Sequence, residues 1–208
     1  LQNQLDYIDN SNLILNQYYE ADLLQGRGRA YGLEFFVKKN TGKLTGWFSY
    51  TLSRTERKTV GISNDNWYLS RFDRTHNASL VLSYALNKRL SVNANFVYMT
   101  GTPATLTDSK LEVQGYYFPN NTDNVRNNYR ISSYHRLDLG MTYDFKKNES
   151  RKLKNSITVS VYNIYNRRNA FSTYLRNDPA SASQLNNEAI RYSVIGSFVP
   201  AITYNFKF

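Results

Sequence analysis

Ser132, Ser133, His135, Arg136 and Asp138 lie close together, and they include the residue types of a nucleophilic triad. A triad needs hydroxyl, imidazole and carboxylate to converge in space. On a strand, side chains alternate between faces, so His135 and Asp138 point opposite ways. The pattern reads instead as a girdle histidine beside an Arg136–Asp138 pair on the other face, with no catalytic residue expected. His76 follows Asp73-Arg74-Thr75, but two histidines and no cysteine make a zinc site of the usual type a poor reading. Asn64-Asp65-Asn66 and Asn120-Asn121-Thr122-Asp123-Asn124 offer oxygen ligands for Ca²⁺. Neither has the spacing of a calcium loop, and Asn and Asp also favour tight turns. No metal or cofactor is therefore expected beyond Ca²⁺ as a minor reading for these loops. Two loops combine rings with guanidinium groups: Trp67, Tyr68 and Arg71 in one, and Tyr116, Tyr117, Arg126, Tyr129 and Arg130 in the other. Such sets suit sugar faces, peptides or anionic groups, or they simply pack the loops.

The elements that position these residues follow a period of two. Leu80, Leu82, Tyr84 and Leu86 alternate with Ser79, Val81, Ser83 and Ala85. After Asn87-Lys88-Arg89 the pattern resumes with Leu90, Val92, Ala94, Phe96 and Tyr98, which makes a hairpin. A second hairpin runs Tyr31, Leu33, Phe35, Val37, turns at Asn40-Thr41-Gly42-Lys43, and returns through Leu44, Gly46, Phe48, Tyr50 and Leu52. A third runs Leu137 to Phe145, turns through Lys146 to Asn155, and continues with Ile157, Val159 and Val161. Ile202, Tyr204, Phe206 and Phe208 form a last strand. The count is roughly seven strands, with the end of an eighth at 1–8. The apolar stretches are about 9–12 residues, enough to cross a bilayer when tilted. Long polar segments at about 55–73, 101–133 and 166–190 alternate with the short turns, an asymmetry typical of outer-membrane barrels.

Charge placement separates the faces. Glu34, Lys38, Arg136, Asp138, Asp144 and Lys207 all fall opposite the apolar set, whose one clear polar residue is Asn163. Arg or Lys facing lipid at mid-bilayer costs about 2–4 kcal/mol, whereas a wet lumen tolerates charge. Glu34, Arg136, Asp138 and Asp144 are therefore expected to face the lumen. Tyr31, Tyr50 and Tyr98 at one end, with Tyr84, Tyr143, Phe145, Tyr204, Phe206 and Phe208 at the other, make two aromatic girdles. The net charge of +10 raises nucleic-acid binding, but the positive residues are scattered through turns and loops. Lys146, Lys147, Arg151, Lys152 and Lys154 suit solubility or lipid headgroups better. No apolar run is long enough for a spanning helix. The sequence opens at Leu1 with no signal peptide, so it reads as a mature or truncated piece. A soluble carbohydrate-binding β-sandwich would share the alternation, but with a polar outward face, shorter loops and fewer tyrosines.

These segments also resemble a family. Gly28-Arg29-Ala30-Tyr31-Gly32-Leu33-Glu34 is similar to a strand opening of TonB-dependent outer-membrane receptors. Thr41 to Arg54, Tyr134-His135-Arg136-Leu137-Asp138-Leu139, Val161 to Asn169 and Val199 to Phe208 resemble the Bacteroidota branch. Each motif is short; their order and spacing from about Gly26 to the end carry the likeness. The resemblance implies an all-β fold, with residues 1–208 the C-terminal part of an antiparallel transmembrane β-barrel of about 22 strands. It also implies a plug domain and TonB box that this sequence does not contain. The implied activity is energised nutrient uptake (a glycan, peptide or metal chelate) across the bacterial outer membrane, with Phe208 periplasmic. Implied partners are outer-membrane lipids, the TonB complex, the barrel-assembly machinery and a surface lipoprotein. Tyr204, Phe206 and Phe208 resemble the signal that the assembly machinery reads, and an aromatic-ended strand offers it an edge for strand addition. A passive porin or adhesin barrel would share the patterns but lack a plug.

Overall fold

The computed structural model describes residues 1–8, 20–107, 109–113, 116–120, 125–145, 154–177 and 187–207. In chain order these form β1 (Gln4–Tyr7), β2 (Leu23–Lys39), β3 (Leu44–Thr59), a 3-10 turn (Ser63–Asp65) and β4 (Tyr68–Leu69). There follow β5 (His76–Ala85), β6 (Leu90–Met99), β7 (Pro103–Ala104), β8 (Ser109–Val113), β9 (Tyr116–Asn120) and β10 (Tyr129–Arg130). The rest are β11 (Tyr134–Asp144), β12 (Lys154–Tyr162), β13 (Ser172–Asn177), β14 (Asn187–Tyr192) and β15 (Val199–Lys207). The fold is all-β, and no α-helix occurs among the described residues.

One antiparallel sheet dominates, ordered β1-β2-β3-β5-β6-β11-β12-β15, with β4 pairing the far end of β3. Its seven long strands and one short leading strand are those the alternation predicts. The turns at 40–43 and 86–89 close the first two hairpins as expected. The sheet does not close: β1 and β15 end the order and do not pair with each other.

Register keeps the apolar positions together. Leu33 pairs Leu52, Phe35 pairs Tyr50 and Phe48 pairs Leu80. Leu80 pairs Phe96, Phe96 pairs Leu137, and Leu139 pairs Val161. Val159 then pairs Ile202. Paired residues share a face, so seven strands present one continuous apolar surface. Gly46 sits in it at φ +149°, where a Cβ would strike the Val81 carbonyl, so this position needs glycine. The opposite face collects Glu34, Lys38, Ser79, Asn95, Arg136, Asp138, Thr142, Asp144 and Thr158, so five of the six charges expected opposite the apolar set lie opposite it; the Lys207 side chain is outside the described residues. That face also holds an aromatic pair, Phe36 with Trp47, near the 40–43 turn.

The apolar face is not covered. Leu33 is 62 % exposed and Ile202 73 %. Among the described residues only Ile62 and Tyr68 are buried hydrophobics. A compact monomer of 24.2 kDa exposes about 10,000 Å²; this chain exposes 14947 Å². A β-sandwich would bury such a face under a second sheet. The further sheets described here are two-stranded: β7 with β10, β8 with β9, and β13 with β14.

Three details depart from the sequence reading. Asn163 does not sit on the apolar face. β12 stops at Tyr162, and Asn163 turns away at φ 55° into a buried position. There it exchanges hydrogen bonds with the Arg167 backbone and donates to the Ser197 carbonyl. The segment 55–73 is not wholly loop, because β3 runs on to Thr59 and β4 folds back on it. The segments 101–133 and 166–190 carry ladders of their own. The 146–153 turn lies outside the described residues, as does Phe208.

Candidate functional site

Polar chemistry gathers where the long segments meet the strand ends. One part is a buried knot. Asp73 is fully buried. It accepts the Thr55 amide at 2.7 Å and the Thr75 hydroxyl at 3.2 Å, and pairs with Arg130 at 2.7 Å. Arg130 also donates to the Gly101 carbonyl at 2.8 Å. A buried carboxylate is tolerated when its lone pairs are met this completely. A Cβ on Gly101 would strike the Ile131 carbonyl, so the backbone here is closely packed.

Arg126 is buried too; its guanidinium donates to the Tyr7 and Ile8 carbonyls, and its backbone amide to the Ser63 hydroxyl at 3.0 Å. The Tyr68 hydroxyl contacts Thr59 at 3.0 Å and donates to Asp6 at 2.8 Å. Burial pushes the Tyr68 phenol up to about 12. Tyr68, Arg126 and Arg130, singled out as ligand contacts, are therefore held by the chain's own acceptors. Trp67 lies 4.2 Å from the Arg29 guanidinium, which pairs with Glu56 at 2.7 Å. Arg71 stacks on exposed Phe72 at 4.8 Å and stays on the surface. Tyr129 pairs with Ala104 in a short ladder. Tyr116 and Tyr117 lie on β9, whose side chains are outside the described residues.

The 61–66 turn uses one of its candidate oxygen ligands internally. Asp65 accepts the Gly61 amide at 2.7 Å, and Ser63, Asn64 and Asp65 all adopt positive φ. This is the turn chemistry weighed against calcium; residues 121–124 of the other run are outside the described residues. Among the described residues no group of three His, Asp or Glu converges. His135 and Asp138 lie on opposite faces as alternation requires. The His135 Nδ1 meets the Tyr165 hydroxyl at 2.8 Å and its ring stacks on Tyr98, while Asp138 meets Asn95 and Arg136. Tyr50 and His76 form a similar couple at 2.8 Å on the same rim. At the opposite rim Tyr143 meets Phe145, and Tyr204 meets Phe206.

The second part is an open cleft of about 410 Å³ on the polar face, where β6, β11 and β12 meet the loops. Arg136 forms its floor. Its Nε lies 2.9 Å from Asp138, and its Nη1 donates to the hydroxyls of Tyr134 at 2.9 Å and Tyr162 at 2.8 Å. The guanidinium also lies 4.1 Å from the Tyr162 ring centre. Asp138 accepts the Asn163 amide at 2.9 Å, so strand and turn hold the pair in place. Ile131, Phe171, Val194 and Ile195 provide apolar walls, and Arg74 stands with Met99 in the lining. Sequence reading found Arg136 and Asp138 but missed Arg74, Phe171 and Ile195, because the lining comes from distant segments. The available signal was Tyr134, Arg136 and Tyr162 sharing the polar face near strand ends.

Compared with known protein families, curated proteins and solved structures, the chain matches none.

Proposed function

We propose that this chain is part of the wall of an outer-membrane β-barrel transporter. One observation carries the membrane reading: a continuous apolar face over seven strands, exposed, free of charge in the strand centres, and backed by a face that holds the charges. Lipid satisfies such a face and water does not. The open order from β1 to β15 then leaves two edges for further strands, since lipid cannot satisfy unpaired backbone groups. The 17-residue β2 and 16-residue β3 exceed the 9–11 residues of a spanning strand. Their excess lies on the long-loop side, which this reading makes extracellular, with the C-terminus periplasmic. The motif resemblance supports the narrower reading of TonB-dependent uptake. There the plug and TonB box lie elsewhere in the protein, and the chain contributes wall, lumen lining and loops.

These 208 residues contain no cysteine, so with any cysteine elsewhere in the full-length protein replaced by serine a direct test is clean. Single Leu80→Cys and Ser79→Cys substitutions in the full-length protein are exposed to a water-soluble maleimide in intact outer membranes. Ser79→Cys is expected to label, and Leu80→Cys to resist until the barrel is unfolded. Equal labelling of the two sinks the lipid-facing assignment. Planar-bilayer recording separates transporter from porin: a plugged barrel stays closed, whereas stepwise open conductance supports the passive reading.

A further inference from the structure

The cleft on the polar face holds an unbalanced charge beside unsatisfied apolar surface. Among the described residues its lining contains Arg74 and Arg136 and no acidic residue. Arg136 is already neutralised by Asp138 and fixed by two tyrosine hydroxyls. Arg74 is different. Among the described residues its side chain has one partner, the Met99 thioether at 2.8 Å, and thioethers are weak acceptors. No carboxylate lies within ion-pair distance of Arg74 among the described residues. Its neighbour Asp73 is turned inward and taken by Arg130. The same cleft is lined by three exposed apolar side chains, Phe171 at 75 %, Val194 and Ile195. Their exposure is not explained by the sheet's lipid face, because the cleft floor of Met99, Tyr134, Arg136 and Tyr162 belongs to the opposite face.

We propose that this cleft binds a small amphipathic anion. Its carboxylate or similar group sits on Arg74 and its apolar body rests against Ile131, Phe171 and Ile195. The volume falls in the range of small-molecule sites, and a few fixed polar groups among apolar walls is their usual composition. Arg136, with the Tyr134 and Tyr162 rings, forms a rigid polar floor that orients whatever enters. The assignment takes from the membrane reading only the direction of access, from the lumen.

The probe is 4-(trifluoromethyl)phenylacetate, compared with its neutral amide, measured by fluorine NMR on the full-length protein. The protein is held in phosphatidylcholine nanodiscs, with empty nanodiscs as the reference for partitioning. The anion should bind about ten-fold more tightly than the amide, the scale of one charge-assisted contact. Arg74→Gln should remove that preference, so that anion and amide bind alike, and Arg74→Lys should keep part of it. Ile195→Asp should weaken both. Equal binding of anion and amide, an unaltered preference in Arg74→Gln, or no binding at all overturns the proposal; the last would mean that another part of the protein fills the cleft. Failure to enter nanodiscs would count against the membrane reading instead, and the same titration on detergent-free protein would still decide the cleft.

Discussion

The wall and the knot at its long-loop end are built on different principles. The wall of β2, β3, β5, β6, β11, β12 and β15 repeats one rule, apolar residues to one side and polar to the other, and encloses almost no interior. The knot around Asp73, Ile62, Tyr68 and Arg126 holds the two buried hydrophobics and most of the buried polar groups found among the described residues. The wall therefore takes its hydrophobic stabilisation from whatever solvent meets its outer face. The knot takes its stability from specific partners and should not depend on that solvent.

Four comparisons test this contrast. The largest effect is expected in the knot. Asp73→Ala leaves Arg130 and the Thr55 amide without their acceptor and should cost about 3–5 kcal/mol. Urea titrations in detergent and in vesicles should show the same loss; a loss confined to vesicles would erase the distinction. Next comes Leu80→Arg on the apolar side of the wall, proposed to face lipid, expected to cost about 2–4 kcal/mol in vesicles. Ser79→Arg, one residue away, should cost under about 1 kcal/mol by the same assay. Equal costs would mean that the two faces share one solvent. Third, Asp138→Asn weakens the Arg136 pair and should cost about 1–3 kcal/mol; the neighbouring Leu139→Val, which keeps the face apolar, should cost less. Apart from the Ser79→Arg and Leu139→Val controls, the smallest effect is Tyr68→Phe, about 1 kcal/mol for hydroxyl contacts with Thr59 and Asp6. The Tyr68 phenol lies above its ordinary 10.0, at about 12. Its neutral form is thus favoured by folding, and that stabilisation is complete below pH 10 and lost as pH rises toward 12. The difference in phenolate absorbance between wild type and Tyr68→Phe should show this late titration, and titration near 10 would contradict the buried placement.

The same contrast explains what was legible in the sequence. A period of two is a local property, so the wall could be read from residues such as Leu80 to Tyr84 and Leu90 to Tyr98. Its turns carried Asn, Gly and Lys at the expected places. Even the separation of His135 from Asp138 followed from alternation alone. The knot could not be read this way. Arg126 meets Ile8 across 118 positions and Arg130 meets Asp73 across 57, and no periodicity announces such partners. Arg126 and Arg130 thus looked like loop residues awaiting a ligand. Asn163 was placed on the apolar face because alternation says nothing about where a strand stops. Arg74 escaped notice for a similar reason: its character depends on Asp73 being occupied by a residue far along the chain.

The order of strands has a consequence for how the wall assembles. Neighbours in the sheet are neighbours in the main-strand sequence, but the links between them differ greatly in length. The β2–β3 link spans 40–43, whereas the β6–β11 link spans 100–133, roughly eight times longer, which adds about 2 kcal/mol of closure entropy. The two short-turn hairpins should therefore zip as separate units, each fixing its own register. The long links are joined afterwards, when contacts such as Asp73 with Arg130 draw 73 and 130 together. On this view the knot is a clasp that shortens the search for β6–β11 pairing. Its loss should slow assembly of the middle of the wall more than that of either hairpin.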